Sequence, residues 1–292
     1  MTSALGRLDD YDLTPLRCGD RLLPVGERTL IMGIVNTSPD SFSGDGLAGD
    51  AALSLAEGMV ADGADIVDVG GQSTRPGSEP VGAEEETERT VPVVAAIAER
   101  LDCVVSIDTS RPEVARRAIH VGAGFVNDVF GLRADGMIET VAQAGTPACI
   151  MHMRGTPRTM QVDPRYDDLM GEVLEFLVKR IEAAVAGGVA RTQLVVDPGF
   201  GFGKTVAHNL EMLRRLGEMR GLGLAVLLGT SRKSTIGAVL DLPVNERVFG
   251  DAATCALGIA GGASILRVHD VREMKQVAVM ADAVVRGWRG GA

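Results

Sequence analysis

Polar side chains recur along this chain at the ends of short apolar runs. They are Asn36, the string Gln72-Ser73-Thr74-Arg75, Asp108-Thr109, Asn127-Asp128, His152 with Arg154, Asp197, the string Ser231-Arg232-Lys233-Ser234, and Arg267-Val268-His269-Asp270. Taken singly, each fits a turn or a helix cap, because Asp, Asn and Ser satisfy the open N–H groups at helix starts. Capping does not explain a set that follows every run, nor does it explain Asp68 and Arg267, which lie inside the runs DIVDVG and SILRVH. A charge in such a place needs a partner or a ligand, since burying it alone is unfavourable. The set divides by chemistry. Asp108, Asn127 and Asp197 suit an edge rich in N–H donors and ring nitrogens. Ser73, Thr74, Arg75, Arg267 and His269 suit an oxyanion such as phosphate. Asn36 offers a neutral oxygen of the kind a magnesium–phosphate complex accepts. The ligand implied is a heterocycle carrying phosphate.

The elements that must position these residues follow one repeated pattern. Eight short β-branched runs read as strands: LIMGIV (30–35), DIVDVG (65–70), CVVSID (103–108), GFVND (124–128), ACIMH (148–152), QLVVD (193–197), AVLLG (225–229) and SILRVH (264–269). Amphipathic segments between them read as helices, including 50–62, 83–100, 112–121, 166–186 and 271–286. A glycine joint recurs where helix hands over to strand, in ADGADIVDV, VGAGFVNDV, QAGTPACIM, AGGVARTQLVV and AGGASILRV. Glycine takes the left-handed C-cap conformation without a Cβ penalty, so the joint is physically expected. Pro112 after Ser110 suits a first helical turn.

Eight βα units without a long linker predict an α/β fold, a single (β/α)₈ barrel over 30–292. Residues 1–29 form a short N-terminal extension packing on it, as a small hairpin or cover. An open doubly wound sheet with a small second domain is the alternative. It would gather its site at one switch point, whereas a barrel surrounds one mouth with all eight strand ends.

Composition removes several function classes. The chain has 292 residues and a formal charge of −10, without a run of Lys or Arg. Nucleic-acid and membrane-surface binding both need a basic footprint, so neither partner is expected. Four cysteines, Cys18, Cys103, Cys149 and Cys255, form no CxxC pair and read as reduced structural thiols. No apolar segment approaches the roughly 18 residues of a membrane span, and the N-terminus lacks a signal core, so the expected setting is cytoplasmic. Two irregular loops, NTSPDSFSGDG (36–46) and GGQSTRPGSEP (70–80), read as lids over the barrel mouth. Neither the first of these nor DPGFGFGKT (197–205) has the spacing of a P-loop.

The strings IMGIVNTSPDSFS, DVGGQSTRPG, SIDTSRPEVA, VNDV, MHMRGTPRTMQ, DPGFGFGKTVAHNL, GTSRKSTIG and RVHDV occur in that order, each at a strand end. Together they resemble the dihydropteroate synthase family, and the likeness runs from about residue 30 to 271. The resemblance implies a homodimeric transferase of folate biosynthesis, a sulfonamide target, joining 7,8-dihydropterin-6-ylmethyl pyrophosphate to p-aminobenzoate with Mg²⁺. It implies pterin contacts from Asp108, Asn127, Asp197 and Lys233, and pyrophosphate contacts from Asn36, Thr74, Arg75, Arg267 and His269, with Asn36 the metal ligand. Thr74, Pro76, Phe202, Lys233 and Ser234 would surround p-aminobenzoate. Asp40, Phe42 and Asp45 belong to the closing first loop, and Asp40, Asp45, Lys233, Arg267 and His269 carry the catalytic role.

Two positions depart from the family pattern. Gln72 stands where the family has Glu, and Gly44 precedes Asp45 where the acid comes one residue earlier. These departures keep a weakened or binding-only paralogue open as an alternative, beside a pterin methyltransferase acting on methyltetrahydrofolate. A generic phosphate-sugar barrel enzyme with His152 as base is a further reading. His152 has no second ligand at metal spacing and is expected to shape the pocket floor, with Met151 and Met153 as packing.

Overall fold

The computed structural model describes residues 13–37, 48–72, 81–288 and 290. The eight apolar runs form the strands β3 (Leu30–Asn36), β4 (Ile66–Gly70), β5 (Val104–Asp108), β6 (Phe125–Asp128), β7 (Ala148–Met151), β8 (Leu194–Asp197), β9 (Ala225–Leu228) and β10 (Ala263–Val268). They pair in parallel in the order β10-β3-β4-β5-β6-β7-β8-β9 and close into a barrel, which excludes the open sheet. Nearly every strand residue is buried, as parallel strands covered on both faces require. Before them, β1 (Leu16–Cys18) and β2 (Arg21–Leu23) form an antiparallel hairpin.

The helices are α1 (Ala48–Ala61), α2 (Ala83–Arg100), α3 (Pro112–His120), α4 (Met137–Ala144), α5 (Leu169–Ala186), α6 (Val206–Arg214), α7 (Ser234–Leu240), α8 (Val248–Gly261) and α9 (Val271–Val285). The five recurring joints carry glycine in the left-handed region, as at Gly63 (φ 99°) and Gly262 (φ 106°).

Side chains alternate along each strand, so the barrel has two cores. Outward residues such as Ile31, Val67, Val105, Val126, Ile150, Val196 and Leu266 pack against the helices. Inward residues Leu30, Met32, Ile66, Val104, Phe125, Cys149, Val195, Leu227 and Ile265 fill the barrel, and Leu16, Cys18, Leu23 and Val25 of the hairpin segment join this inner cluster. That apolar plug lies towards the strand starts and leaves the opposite mouth to other side chains.

Candidate active site

Two residues further along the strands, the inward positions turn polar. Ile66 gives way to Asp68, Val104 to Ser106 and then Asp108, Phe125 to Asn127, Val195 to Asp197, and Ile265 to Arg267. The ladder aligns Asn36 with Gly70, Gly70 with Asp108, and Asp108 with Asn127, so four strand ends share one layer.

Arg267 binds this layer together. Its Nε donates to Asp68 Oδ2 at 2.6 Å and its Nη2 to Asp108 Oδ2 at 2.7 Å. Asn127 Nδ2 donates to the same Asp68 oxygen at 3.1 Å. Asp68 is fully buried, and its Oδ1 finds no partner among the described residues. Burial pushes the Asp108 carboxyl up to about 7 against the pull of Arg267, with Asp68 adding to the rise. The charge expected to need a partner therefore has one, and the arginine sits among the carboxylates rather than apart from them.

Asp197 and Lys233 complete the base. Asp197 accepts from Gly199 N at 2.6 Å. Burial raises its carboxyl, and Lys233 pulls it back down. The Lys233 ammonium donates to the Phe200 carbonyl and lies 4.7 Å from the centre of the Phe202 ring. Burial lowers it to about 8, while Asp197 and Asp108 favour its charge. Three carboxylates against two cations leave the base one charge negative when all are ionised. Such a surface favours N–H donors over a second anion.

The rim is built from loops. Ser234 opens α7 and is exposed, directly after Lys233. His269 follows β10, with its Nδ1 3.0 Å from Ser231 Oγ. Phe202 is held in the glycine-rich turn after β8, where Gln161 donates to Gly201 O at 2.6 Å and Tyr166 to Gly203 O at 2.8 Å. Asn36 ends β3, half-buried at the mouth. Asp40, Phe42, Asp45, Ser73, Thr74, Arg75 and Pro76 lie outside the described residues.

Sequence reasoning left Lys204 out of this set. Its ammonium is buried, donating to Gly199 O at 3.0 Å and Phe202 O at 3.2 Å, and lying 2.9 Å from His152 Nδ1. Burial lowers Lys204 to about 7 and, with the Lys204 charge, His152 to about 2. His152 is thus a neutral acceptor under the turn that carries Phe202, and Met151 and Met153 pack in the cluster beside it. A lysine in a glycine-rich turn reads from sequence as solvated, so nothing in the local pattern marked it.

Residues 32–269 match the pterin binding enzyme family. A dihydropteroate synthase of a Synechocystis species is 48% identical over 289 residues, 98% of this chain and 99% of that protein. The Yersinia pestis dihydropteroate synthase, solved in a sulfonamide drug complex, superposes with a TM-score of 0.89 at 42% identity, covering 93% of this chain and 99% of that one. The Xanthomonas albilineans dihydropteroate synthase, solved with 7,8-dihydropteroate, gives 0.85 at 39% identity, covering 93% and 98%. The motifs, the closed barrel and these likenesses agree that the chain belongs to the dihydropteroate synthase family of pterin-binding enzymes, which are transferases.

Proposed function

We propose that this chain joins 7,8-dihydropterin-6-ylmethyl pyrophosphate to p-aminobenzoate, forming 7,8-dihydropteroate and releasing pyrophosphate. The observation that carries the reading is the buried net-negative cluster of Asp68, Asp108, Asn127, Arg267, Asp197 and Lys233 at the barrel mouth. A pterin edge presents amino and ring N–H groups, which Asp108 and Asp197 accept. Asn127 gives its amide N–H to Asp68, so its carbonyl oxygen is a further acceptor. Lys233 donates to a ring nitrogen or carbonyl of the pterin and, over Phe202, borders the p-aminobenzoate position with Ser234. His269 and Arg267 face the pyrophosphate with Asn36, Thr74 and Arg75, while Pro76 adds to the p-aminobenzoate wall and Asp40 and Asp45 serve the closing loop.

The displacement is SN1-like. The bond from the pterin methylene to the pyrophosphate oxygen breaks with its electron pair leaving on pyrophosphate. The cation left behind is conjugated with the ring and lies over the negative base, where fixed charges stabilise it without reorganising. The p-aminobenzoate nitrogen then attacks the methylene and releases its proton. Closure of the mouth excludes water, which would otherwise capture the cation as an alcohol.

The described residues hold no group of three or more His, Cys, Asp or Glu placed to bind a metal. This donor set fits Mg²⁺ held mainly by substrate phosphate and water, with Asn36 as its protein oxygen. When bound there it neutralises charge on the leaving pyrophosphate. The chain is read as a cytoplasmic homodimer. Its four cysteines are free and buried, and no described helix is long and apolar enough to cross a membrane. An exposed apolar row on α9 supports the second copy.

The test is a pyrophosphate-release assay. Steady release is expected only with both substrates and magnesium present. Substrate labelled with ¹⁸O at the bridging oxygen should scramble the label before p-aminobenzoate is added. Release no faster than in buffer would leave a binding-only protein, for which Gln72 and the altered first loop are the visible changes. Full turnover without scrambling would replace the stepwise order by direct displacement.

A further inference from the structure

Asp251 lies on α8, outside the ring of strand ends, yet it is fully buried and contacts the turn after β9. Its Oδ1 accepts from Arg232 N at 3.0 Å, and its Oδ2 accepts from Arg232 N and from Ser231 Oγ, each at 3.1 Å. Arg232 stands in the left-handed region (φ 58°), where a side chain is strained, so the carboxylate holds a turn that would otherwise relax. That turn presents Lys233 and Ser234. It is tied to the β10 end twice, by Ser231 to His269 and by Arg232, whose Nε and Nη2 donate to Asp270 at 3.2 and 2.5 Å.

The hydroxyl between Asp251 and His269 decides a proton. Ser231 has one O–H and two lone pairs. Burial raises the Asp251 carboxyl, while the Arg232 N–H and the Ser231 hydroxyl favour its charge. With Asp251 ionised, pointing that hydrogen at His269 would leave the Ser231 lone pairs facing a buried carboxylate oxygen at 3.1 Å, with no proton between them. With the hydrogen on Asp251, Ser231 Oγ accepts from His269 Nδ1 at 3.0 Å and from His269 N at 3.3 Å. Each of these three contacts then pairs a donor with an acceptor. The proton on Nδ1 follows from the carboxylate on the far side of the hydroxyl.

We infer that Asp251 is a positioning residue for the transfer reaction: through Ser231 it keeps His269 protonated at Nδ1 and clamps the turn carrying Lys233 to the strand end carrying His269. The inference rests on the proposed reading of His269 as a pyrophosphate contact. With Nδ1–H fixed, Nε2 meets a phosphate oxygen only as N–H, so the ring binding the leaving group is an imidazolium. An imidazole in the other tautomer would offer its Nε2–H without the charge. Charge-assisted hydrogen bonds are the stronger kind, and the leaving group is where negative charge grows.

Asp251→Asn separates the two roles. Its amide oxygen still accepts from Arg232 N, while its NH₂ donates to Ser231, whose hydrogen then turns to His269 Nδ1 and moves the ring to the Nε2–H tautomer. The chain has four histidines, so ¹⁵N imidazole spectra can be assigned with a His269→Gln control. The expected spectrum has His269 protonated at Nδ1 in the parent protein and unprotonated there in Asp251→Asn. In steady state the variant should raise the KM for pterin pyrophosphate about tenfold and leave the KM for p-aminobenzoate within about twofold. Ser231→Ala, which keeps the Arg232 tether but removes the acceptor for Nδ1–H, should reproduce the rise in KM for pterin pyrophosphate, and the double variant should add nothing further. A parent His269 bare at Nδ1, or an Asp251→Asn protein whose spectrum and KM values match the parent, would overturn the inference while leaving the synthase reading intact. A parent protein that shows the expected spectrum but no turnover would instead remove the synthase reading, and with it the catalytic meaning of the relay.

Discussion

At the scale of single residues, burial decides what each ionisable group can do. His152 is 5% exposed, and the buried charge of Lys204 adds to the burial that holds it down to about 2 from its ordinary 6.5. The unfolded chain therefore takes up a proton at this site below about pH 6.5 that the folded chain refuses until about pH 2. The stability this residue contributes is complete above the unfolded value and is lost as pH falls, by at most about 1.4 kcal/mol per pH unit. His152→Asn keeps an oxygen acceptor for Lys204 and removes the titration. Urea unfolding between about pH 6 and pH 4 should show a slope shallower than the parent's by about 1 kcal/mol per unit. Equal slopes would mean that His152 titrates normally in the fold. Sequence reasoning reached this residue as pocket floor without seeing its partner, because Lys204 is 52 positions away. Asp68 and Arg267 were more legible, since a charge inside an apolar run announces a need. The answer to that need, a pairing across 199 residues, depends on barrel closure and no local pattern encodes it.

At the scale of elements, the strands were almost fully readable and the loops were not. Each β-branched run became a strand within two residues of its expected ends, because period and composition act locally. Helix starts were less secure. The segment expected from residue 166 begins as α5 at Leu169, and Tyr166 instead holds the turn at Gly203. Ser110 does not cap α3 but donates to Asp128, whose carboxylate also accepts from Phe130 N and Leu132 N. In both cases the hydroxyl donates to an acceptor distant in sequence, which no local pattern encodes. The turn after β8 shows the same dependence on a distant neighbour. Gly199 has φ 72°, and a Cβ there would overlap the carbonyl oxygen of His152. Gly199→Ala must shift the backbone of one strand end, and it should destabilise the fold by about 2–4 kcal/mol in chemical denaturation. Gly221→Ala, where a Cβ meets nothing within 4 Å, is the control and should change stability by less than about 0.5 kcal/mol. A Gly199→Ala protein as stable as the control would show that the turn does not press on His152.

At the scale of the molecule, the outer face of α9 bears on assembly. Val271, Met274 and Ala278 bury the inner face, while Val279, Met280 and Val284 are more than half exposed, and Trp288 beyond the helix end is 79% exposed. Met280, Val284 and Trp288 recur every fourth residue, and Val279 and Ala283 line the same groove with them. In the sequence this row is indistinguishable from a core stripe, because periodicity reports an apolar face and not what covers it. The fold shows that nothing in the described residues covers it. A net charge of −10 works against indiscriminate clustering, so a specific self-complementary contact is the expected use of such a row. Sedimentation velocity at micromolar concentration should give a dimer for the parent chain. Met280→Glu combined with Val284→Glu places carboxylates within the apolar row of each copy and should yield a folded monomer with unchanged far-ultraviolet circular dichroism. A parent protein that sediments as a monomer, or a double variant that remains dimeric, would move the interface elsewhere or remove it. The two mutated positions lie on the outer layer of the barrel, whereas the inner strand ends carry the mouth, so the assembly state can be tested without touching Asp108, Lys233 or Arg267.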